Sequence, residues 1–190
     1  MGRIFLSSDL HFGHNREFLY KPRGFNSIEE HDTYIINNWN KIINPEDTVW
    51  ILGDLMLGDN AYGIDCLNQL NGNLNICIGN HDTNSRIALY SQIKSVQSIQ
   101  YATILRYKKF RFYLSHYPTM TANLEKEHLF ECLINLFGHT HSKEKFYNNI
   151  PFMYNVSLDA NNNMPIEIDD IINKCKTELQ KYKKEKNQEQ

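Results

Sequence analysis

Five short polar motifs stand in a fixed order along this chain, and each closes an apolar run that reads as a β-strand. They are Asp9-Leu10-His11, Gly53-Asp54, Gly79-Asn80-His81-Asp82, Ser115-His116 and Gly138-His139-Thr140-His141. In α/β sheets, sites form beyond the carboxyl ends of the strands, so the pattern directs all five motifs to one place. The residue types are those of metal ligands. Carboxylates, imidazoles and one amide are hard-to-borderline donors that suit Mn²⁺, Fe or Zn²⁺. No Cys lies among them, which argues against a structural zinc knuckle. A single Asp-x-His or a lone His is weak evidence, since either is common by chance. Five such motifs in series at strand ends supply the donor set of a two-metal hydrolytic site.

The intervening segments complete a layered α/β pattern. Residues 3–8, 48–52 and 75–78 read as the first three strands. Ser27-Ile28-Glu29-Glu30 is a capping box that opens a helix to about residue 43. Ile35, Trp39, Ile42 and Ile43 share one face of that helix, and Asn44-Pro45 stops it. Shorter helices are expected over about residues 61–70, 84–94 and 124–133. Residues 97–107 and 110–115 read as a hairpin turning at Lys108-Lys109. Later strands fall at 134–137, 152–158 and 165–168. The pattern predicts one domain over residues 1–170, then a C-terminal helix and charged tail over 171–190.

A chain of 190 residues with 41% hydrophobic and 22% charged content can bury a core of its own. No apolar run approaches the length of a membrane span. Residues 3–6 lead straight into the first motif without a signal-peptide layout. The four cysteines are scattered, with no C-x-x-C pair, which suits reduced thiols and a cytoplasmic location. A formal net charge of −2 argues against an extended nucleic-acid-binding face. It leaves a small anionic substrate open, because metals supply local positive charge.

The motif series resembles that of the calcineurin-like metallophosphoesterases, whose signature runs Asp-x-His, Gly-Asp, Gly-Asn-His-Asp/Glu, His and Gly-His-x-His. The resemblance covers residues 3 to about 160. Asp9-Leu10-His11-Phe12-Gly13-His14, Asn38-Trp39-Asn40, Asp47-Thr48-Val49-Trp50 and Asn155-Val156-Ser157-Leu158-Asp159 are similar to small bacterial and phage members. The resemblance implies a four-layer α/β/β/α sandwich with two mixed β-sheets. It implies two divalent metal ions, Mn²⁺ first, with Fe, Zn or Ni as alternatives. Asp9, His11, Asp54 and His141 would hold one ion; Asp54, Asn80, His116 and His139 would hold the other, with Asp54 bridging. A hydroxide between the metals would attack phosphorus in line, and His81 would stabilise or protonate the leaving oxygen. With no obvious cap domain, the resemblance favours a small nucleotide-like phosphodiester. A phosphomonoesterase on nucleotides or phosphoproteins is the alternative. A non-catalytic scaffold is disfavoured by the intact ligand set. Gly53-Asp54 continues as Leu55-Met56-Leu57-Gly58, which lacks the Asp-Arg-Gly of protein Ser/Thr phosphatases.

Other residues carry weaker expectations. His14, Arg16 and Arg23 lie in the long loop after the first motif, where recognition groups commonly sit. An Arg fork there would suit phosphate oxygens. Asp82 either orients His81 or caps the following helix. The glycines before Asp54, Asn80 and His139 are expected to permit tight turns. Tyr117, next to His116, packs or lines the pocket. His31 and His128 fall on helices away from the motifs and read as surface residues. Arg106, Lys108, Lys109 and Arg111 read as a solvated turn.

Overall fold

A computed structural model describes residues 2–122 and 128–188. Strands β1 (Ile4–Ser7), β2 (Thr48–Leu52), β3 (Asn73–Cys77) and β4 (Val96–Gln100) pair in parallel. A short β9 (Ile166–Glu167) adds antiparallel to β1, giving the order β4-β3-β2-β1-β9. The second sheet runs β5 (Ala102–Tyr107), β6 (Phe110–Ser115), β7 (Leu133–Phe137), β8 (Met153–Asn155). There β5–β6 is antiparallel and the other pairs are parallel. Both sheets are mixed, in agreement with the expected fold.

Strand alternation divides the first sheet's side chains between two cores. Phe5, Val49, Ile51, Leu74 and Ile76 face helices α2 (Ile28–Ile42), α3 (Asn60–Asn68) and α4 (Asn84–Tyr90), which contribute Ile35, Trp39, Leu67 and Tyr90. Leu6, Leu52 and Cys77 face the second sheet, where Phe112, Leu114, Ile134, Leu136 and Tyr154 complete the other core. Helix α5 (Ile168–Gln188) follows β9 directly and lays Ile168, Ile171, Ile172 and Cys175 into that second core. Burying each such side chain is worth about 1.5–3 kcal/mol. Trp39 is fully buried and satisfies its indole N–H by donating to the Asn71 carbonyl at 2.9 Å. The α2 cap forms as expected on one side: the Glu30 N–H donates to Ser27 Oγ at 3.2 Å. The return bond is displaced by one residue, with the Asn26 N–H donating to Glu30 Oε2.

Three elements differ from the sequence reading. The apolar stretch 97–107 is two strands, β4 in the first sheet and β5 in the second, and the chain changes sheets at exposed Tyr101. The helix expected over 124–133 is a single 3-10 turn at Leu129–Glu131, and residues 124–127 lie outside those described. Helix α5 begins at Ile168 and runs through the boundary expected at residue 170.

This topology sets the site. Because β1, β2 and β3 are parallel, their polar ends emerge at one edge, and β6 and β7 emerge together from the second sheet. A parallel bridge between Ser8 and Ser157 joins the chain past β1 to the chain past β8. The Asp9 N–H donates to Gly53 O and the His11 N–H to Asp54 O, both at 3.0 Å, so the first two motifs are laced together.

Candidate metal centre

The loops at this edge are wound tightly. Asp9, His11, Asp54, His139 and His141 all take left-handed backbone, with φ between 48° and 68°. Such conformations are uncommon for non-glycine residues and cluster at functional sites. Of the three glycines preceding ligand-type residues, only Gly53 has positive φ, at 92°. Gly79 and Gly138 serve a different purpose from the expected turn. A Cβ on Gly79 would collide with Asp54 Oδ1 and come within 2.6 Å of the Asp54 backbone nitrogen. A Cβ on Gly138 would collide with Ser8 Oγ and Asp9 Oδ2. These glycines leave room for the carboxylates.

The motif residues converge into two overlapping donor groups. In one, His11 Nε2 lies 3.2 Å from His141 Nε2, 3.9 Å from Asp9 Oδ1 and 3.8 Å from Asp54 Oδ2. His141 Nε2 is 3.8 Å from Asp9 Oδ1. In the other, His116 Nε2 lies 2.8 Å from Asn80 Oδ1, 3.2 Å from His139 Nδ1 and 3.5 Å from Asp54 Oδ2. His139 Nδ1 is 2.9 Å from Asn80 Oδ1. Donors bound at about 2.0–2.2 Å to one ion stand roughly 3–4 Å apart, which matches both groups. Asp54 Oδ2 belongs to each. The donor chemistry therefore fits divalent cations, with Asp9, His11, Asp54, Asn80, His116, His139 and His141 as the residues that can hold them.

Neighbouring groups aim these donors. The His116 Nδ1–H donates to Leu52 O at 2.8 Å, leaving the Nε2 lone pair inward. His141 Nδ1 bonds Asp159 Oδ2 at 3.0 Å, which fixes its Nε2 in the same sense. Asp9 Oδ2 accepts from the Ser8 hydroxyl at 2.6 Å, and the His139 N–H is shared between Asp9 Oδ2 at 3.0 Å and Oδ1 at 3.2 Å, which fixes the carboxylate's orientation. Asp54 Oδ1 accepts from the His81 N–H at 2.8 Å, freeing Oδ2. His11 Nδ1 is buried and has no hydrogen-bond partner among the described residues.

The electrostatics follow from crowding and burial. Burial lowers the His11 pKa well below its ordinary value, helped by the Arg23 charge and neighbouring imidazoles. Burial, the His116 charge and other imidazoles likewise lower His139. Burial opposes the charged form of His141 too, but the bond to Asp159 and the nearby carboxylates outweigh it and raise its pKa. Burial, reinforced by Asp9 and Asp82, raises Asp54. A cation among these donors would oppose each protonation.

Several sequence expectations need correction. Asp82 neither orients His81 nor caps the following helix. Its Oδ2 accepts from the Asp54 and Gly79 N–H groups, each at 2.8 Å, and its Oδ1 from the Leu55 N–H and the Tyr90 hydroxyl. It ties the second motif to the third, while Thr83 caps α4. Arg23 is not an open phosphate fork. It is 8% exposed and spends its guanidinium on Asp159 Oδ1 and Oδ2 at 2.9 and 2.7 Å, Asp9 O at 2.9 Å and His31 Nε2 at 3.0 Å. His31 is not a surface residue. It is fully buried between Arg23 and Asp32, whose other oxygen accepts the Gly13 N–H. His128 is exposed, as expected. Lys108 pairs with Asp169 at 2.6 Å at the β5–β6 turn.

The remaining residues lie around the donors. The His81 ring stands 5.6 Å from that of His11, and the Arg86 guanidinium holds the His81 carbonyl at 2.7 Å. His14 stands 5.5 Å from His11, and burial and the nearby His81 and Arg16 charges lower its pKa. Arg16 is exposed at the start of α1 (Glu17–Tyr20). Sequence reasoning missed the roles of Ser8, Tyr90 and Asp159. Only Asp159 carried a signal, at the end of the Asn155–Asp159 stretch.

Two mixed sheets whose strand ends present this Asp, His and Asn set define a protein of the metallophosphoesterase class. The chain belongs to the calcineurin-like phosphoesterase superfamily, whose domain model matches residues 3–155. An uncharacterized protein of Methanocaldococcus jannaschii is 30% identical over 178 residues, covering 90% of each chain. The Gene 66 protein of Mycobacterium phage D29 is 27% identical over 166 residues, 75% of this chain and 80% of its own. The solved structure of AQ665 from Aquifex aeolicus, a protein of unknown function, superposes with a TM-score of 0.68 at 22% identity. It covers 91% of this chain and 99% of its own, and shows the same fold.

Proposed function

We propose that this chain is a two-metal phosphodiesterase that hydrolyses a small, nucleotide-type diester in the cytoplasm, with Mn²⁺ as the preferred cation. The observation that carries this reading is Asp54 Oδ2, which lies within 3.8 Å of His11 Nε2 and 3.5 Å of His116 Nε2 and so belongs to both donor groups. A single carboxylate between two cations offsets their repulsion. When bound, the ions would supply an activated water and neutralise charge on the phosphoryl oxygens. The chain's own groups do the rest. Asp9, His11, Asp54 and His141 would hold one ion, and Asp54, Asn80, His116 and His139 the other. The His81 N–H fixes the Asp54 carboxylate at 2.8 Å, and the His81 ring would give a proton to the leaving oxygen. Among the described residues no inserted domain covers the site, and His139 and His141 open to solvent, which suits an ester with substituents on both sides. Cys66, Cys77 and Cys175 are buried thiols, in keeping with a reducing compartment.

The test is metal content and turnover measured together. Purified protein should bind two Mn²⁺ per chain by elemental analysis and hydrolyse bis(p-nitrophenyl) phosphate faster than p-nitrophenyl phosphate. Asp54→Asn should lose both metal and rate. His81→Ala should keep both metals while turnover falls about 10²–10⁴-fold. Metal loss in His81→Ala, or full activity in chelator, would refute the assignment. Faster monoester hydrolysis would shift the reading to a phosphatase.

A further inference from the structure

Two aromatic side chains flank the donor groups and take no part in them. Phe18 is 72% exposed, although its helix neighbours Leu19 and Tyr20 are buried with Phe25 and Ile28. Helix α1 is thus anchored by two apolar residues and holds the third outward. The Phe18 ring meets the His14 ring edge-on at 5.5 Å, and His14 in turn lies 5.5 Å from His11. On the other side, Tyr117 is 50% exposed, with its ring 4.7 Å from His139 and 5.1 Å from His116. Its backbone is held at the end of β6, where the Ser115 and Thr119 hydroxyls both donate to the Tyr117 carbonyl. One solvent-facing ring therefore stands beyond the histidines of each donor group. Isolated exposed aromatics need no explanation in themselves; their placement beside the donors does. Of the other exposed rings, Tyr62 packs against Gly13, Tyr147 lies against Phe137 and Phe130 stacks on His128, and none of these three has a ring contact with a donor histidine among the described residues.

We propose that Phe18 and Tyr117 are stacking platforms for the two nucleobases on either side of a scissile phosphodiester, so that the substrate is a linear dinucleotide unit of single-stranded nucleic acid. The inference rests on the phosphodiesterase reading. A phosphate centred near Asp54 would direct one substituent past His11 and His14 toward Phe18. The other would pass His116 and His139 toward Tyr117. Every base has a π-face, so stacking on a protein ring is sequence-tolerant and strong enough to dominate recognition of a short strand. The formal charge of −2 fits a short substrate better than a long or duplex one.

The experiment compares kcat/KM for a linear dinucleotide with that for methyl p-nitrophenyl phosphate, a diester without bases, in Mn²⁺. Phe18→Ala and Tyr117→Ala should each lower the dinucleotide-to-methyl-ester ratio about 10-fold or more, chiefly through KM. Phe18→Trp and Tyr117→Phe, which keep a ring, should preserve it. An unchanged ratio in both alanine variants would overturn the inference. Turnover of the methyl ester with none of the dinucleotide would overturn it while leaving the phosphodiesterase reading intact. If neither ester is cleaved, that reading fails and the platforms are judged by binding alone. Calorimetry with a phosphorothioate-linked dinucleotide should then show about 10-fold weaker binding in each alanine variant, and equal binding would refute the platforms.

Discussion

Substituting Asp159 by Asn tests the buried ion pair that supports His141. The Asp159 side chain is 10% exposed and that of Arg23 is 1% exposed, and two hydrogen bonds of 2.9 and 2.7 Å join them. Removing the negative charge leaves the guanidinium with neutral acceptors, Asp9 O and His31 Nε2 beside the remaining Asn oxygen. Breaking a buried pair from one side costs about 3–5 kcal/mol. Asn keeps one acceptor oxygen, so the loss should fall near the lower end, about 3 kcal/mol. In a domain of this size that lowers Tm by about 6–12 °C, measurable by calorimetry on chelator-stripped protein. The effect is pH-dependent with a definite sign. Burial alone would raise the Asp159 pKa, but its bonds to His141 and Arg23 hold it well below the ordinary carboxylate range. A depressed folded pKa stabilises above the unfolded value and is lost as pH falls through the folded one. His141, raised above 6.5, contributes in the opposite sense: its share is present below 6.5 and lost as pH rises through the folded value. The gap between wild type and variant should thus be widest at about pH 5–6 and narrow on either side. Arg23→Met should cost a similar amount, and the double variant less than the sum of the two. Additive losses, or a loss under about 1 kcal/mol, would refute the coupling, because double-mutant cycles read such pairs directly.

Three further outcomes are expected. Tyr90→Phe removes a 2.8 Å bond to the buried Asp82 carboxylate and should cost about 1.5–3 kcal/mol in urea unfolding with an unchanged slope. Gly79→Ala places a methyl group against Asp54 and should cost about 1–3 kcal/mol by the same assay while weakening Mn²⁺ binding in a calorimetric titration. Asp47 sits far from the donors at the start of β2, its pKa held down against burial by the Asn44 and Arg3 N–H groups and the Arg3 charge. Its contribution is present above pH 3.8 and lost below, so Asp47→Asn should flatten the acid limb of the stability profile followed by circular dichroism.

The convergence of the five motifs was legible because each closes a recognisable strand, and strand ends meet at one edge of a parallel sheet. The phase of α2 was legible as well, and it held more than was drawn from it. His31 lies four residues before Ile35 and eight before Trp39, on the same helical stripe, so its burial follows from the spacing that placed those two in the core. The partner of Arg23 was not legible, since 136 residues separate it from Asp159 and neither side chain declares which loop it will meet. Asp82 was misjudged for a similar reason. Its local options were His81 and the helix start, whereas its real partners are backbone N–H groups from a loop 28 residues earlier and a tyrosine one helix later. The crossing at Tyr101 carried no Gly or Pro to announce it, so two strands in different sheets read as one.

The left-handed turns at Asp9, His11, Asp54, His139 and His141 bear on how such a chain could lose its activity over generations. Each is a backbone state that glycine adopts freely and that a side chain makes costlier, although Asp and His tolerate it better than most residues. On the proposed reading, the need to hold metal is what keeps a carboxylate or imidazole at these positions. A lineage released from that need would drift toward Gly and Asn there, keep its two sheets, and become harder to melt. Within this superfamily, a stable member with glycines at these five turns would mark where catalysis was abandoned while the architecture was retained.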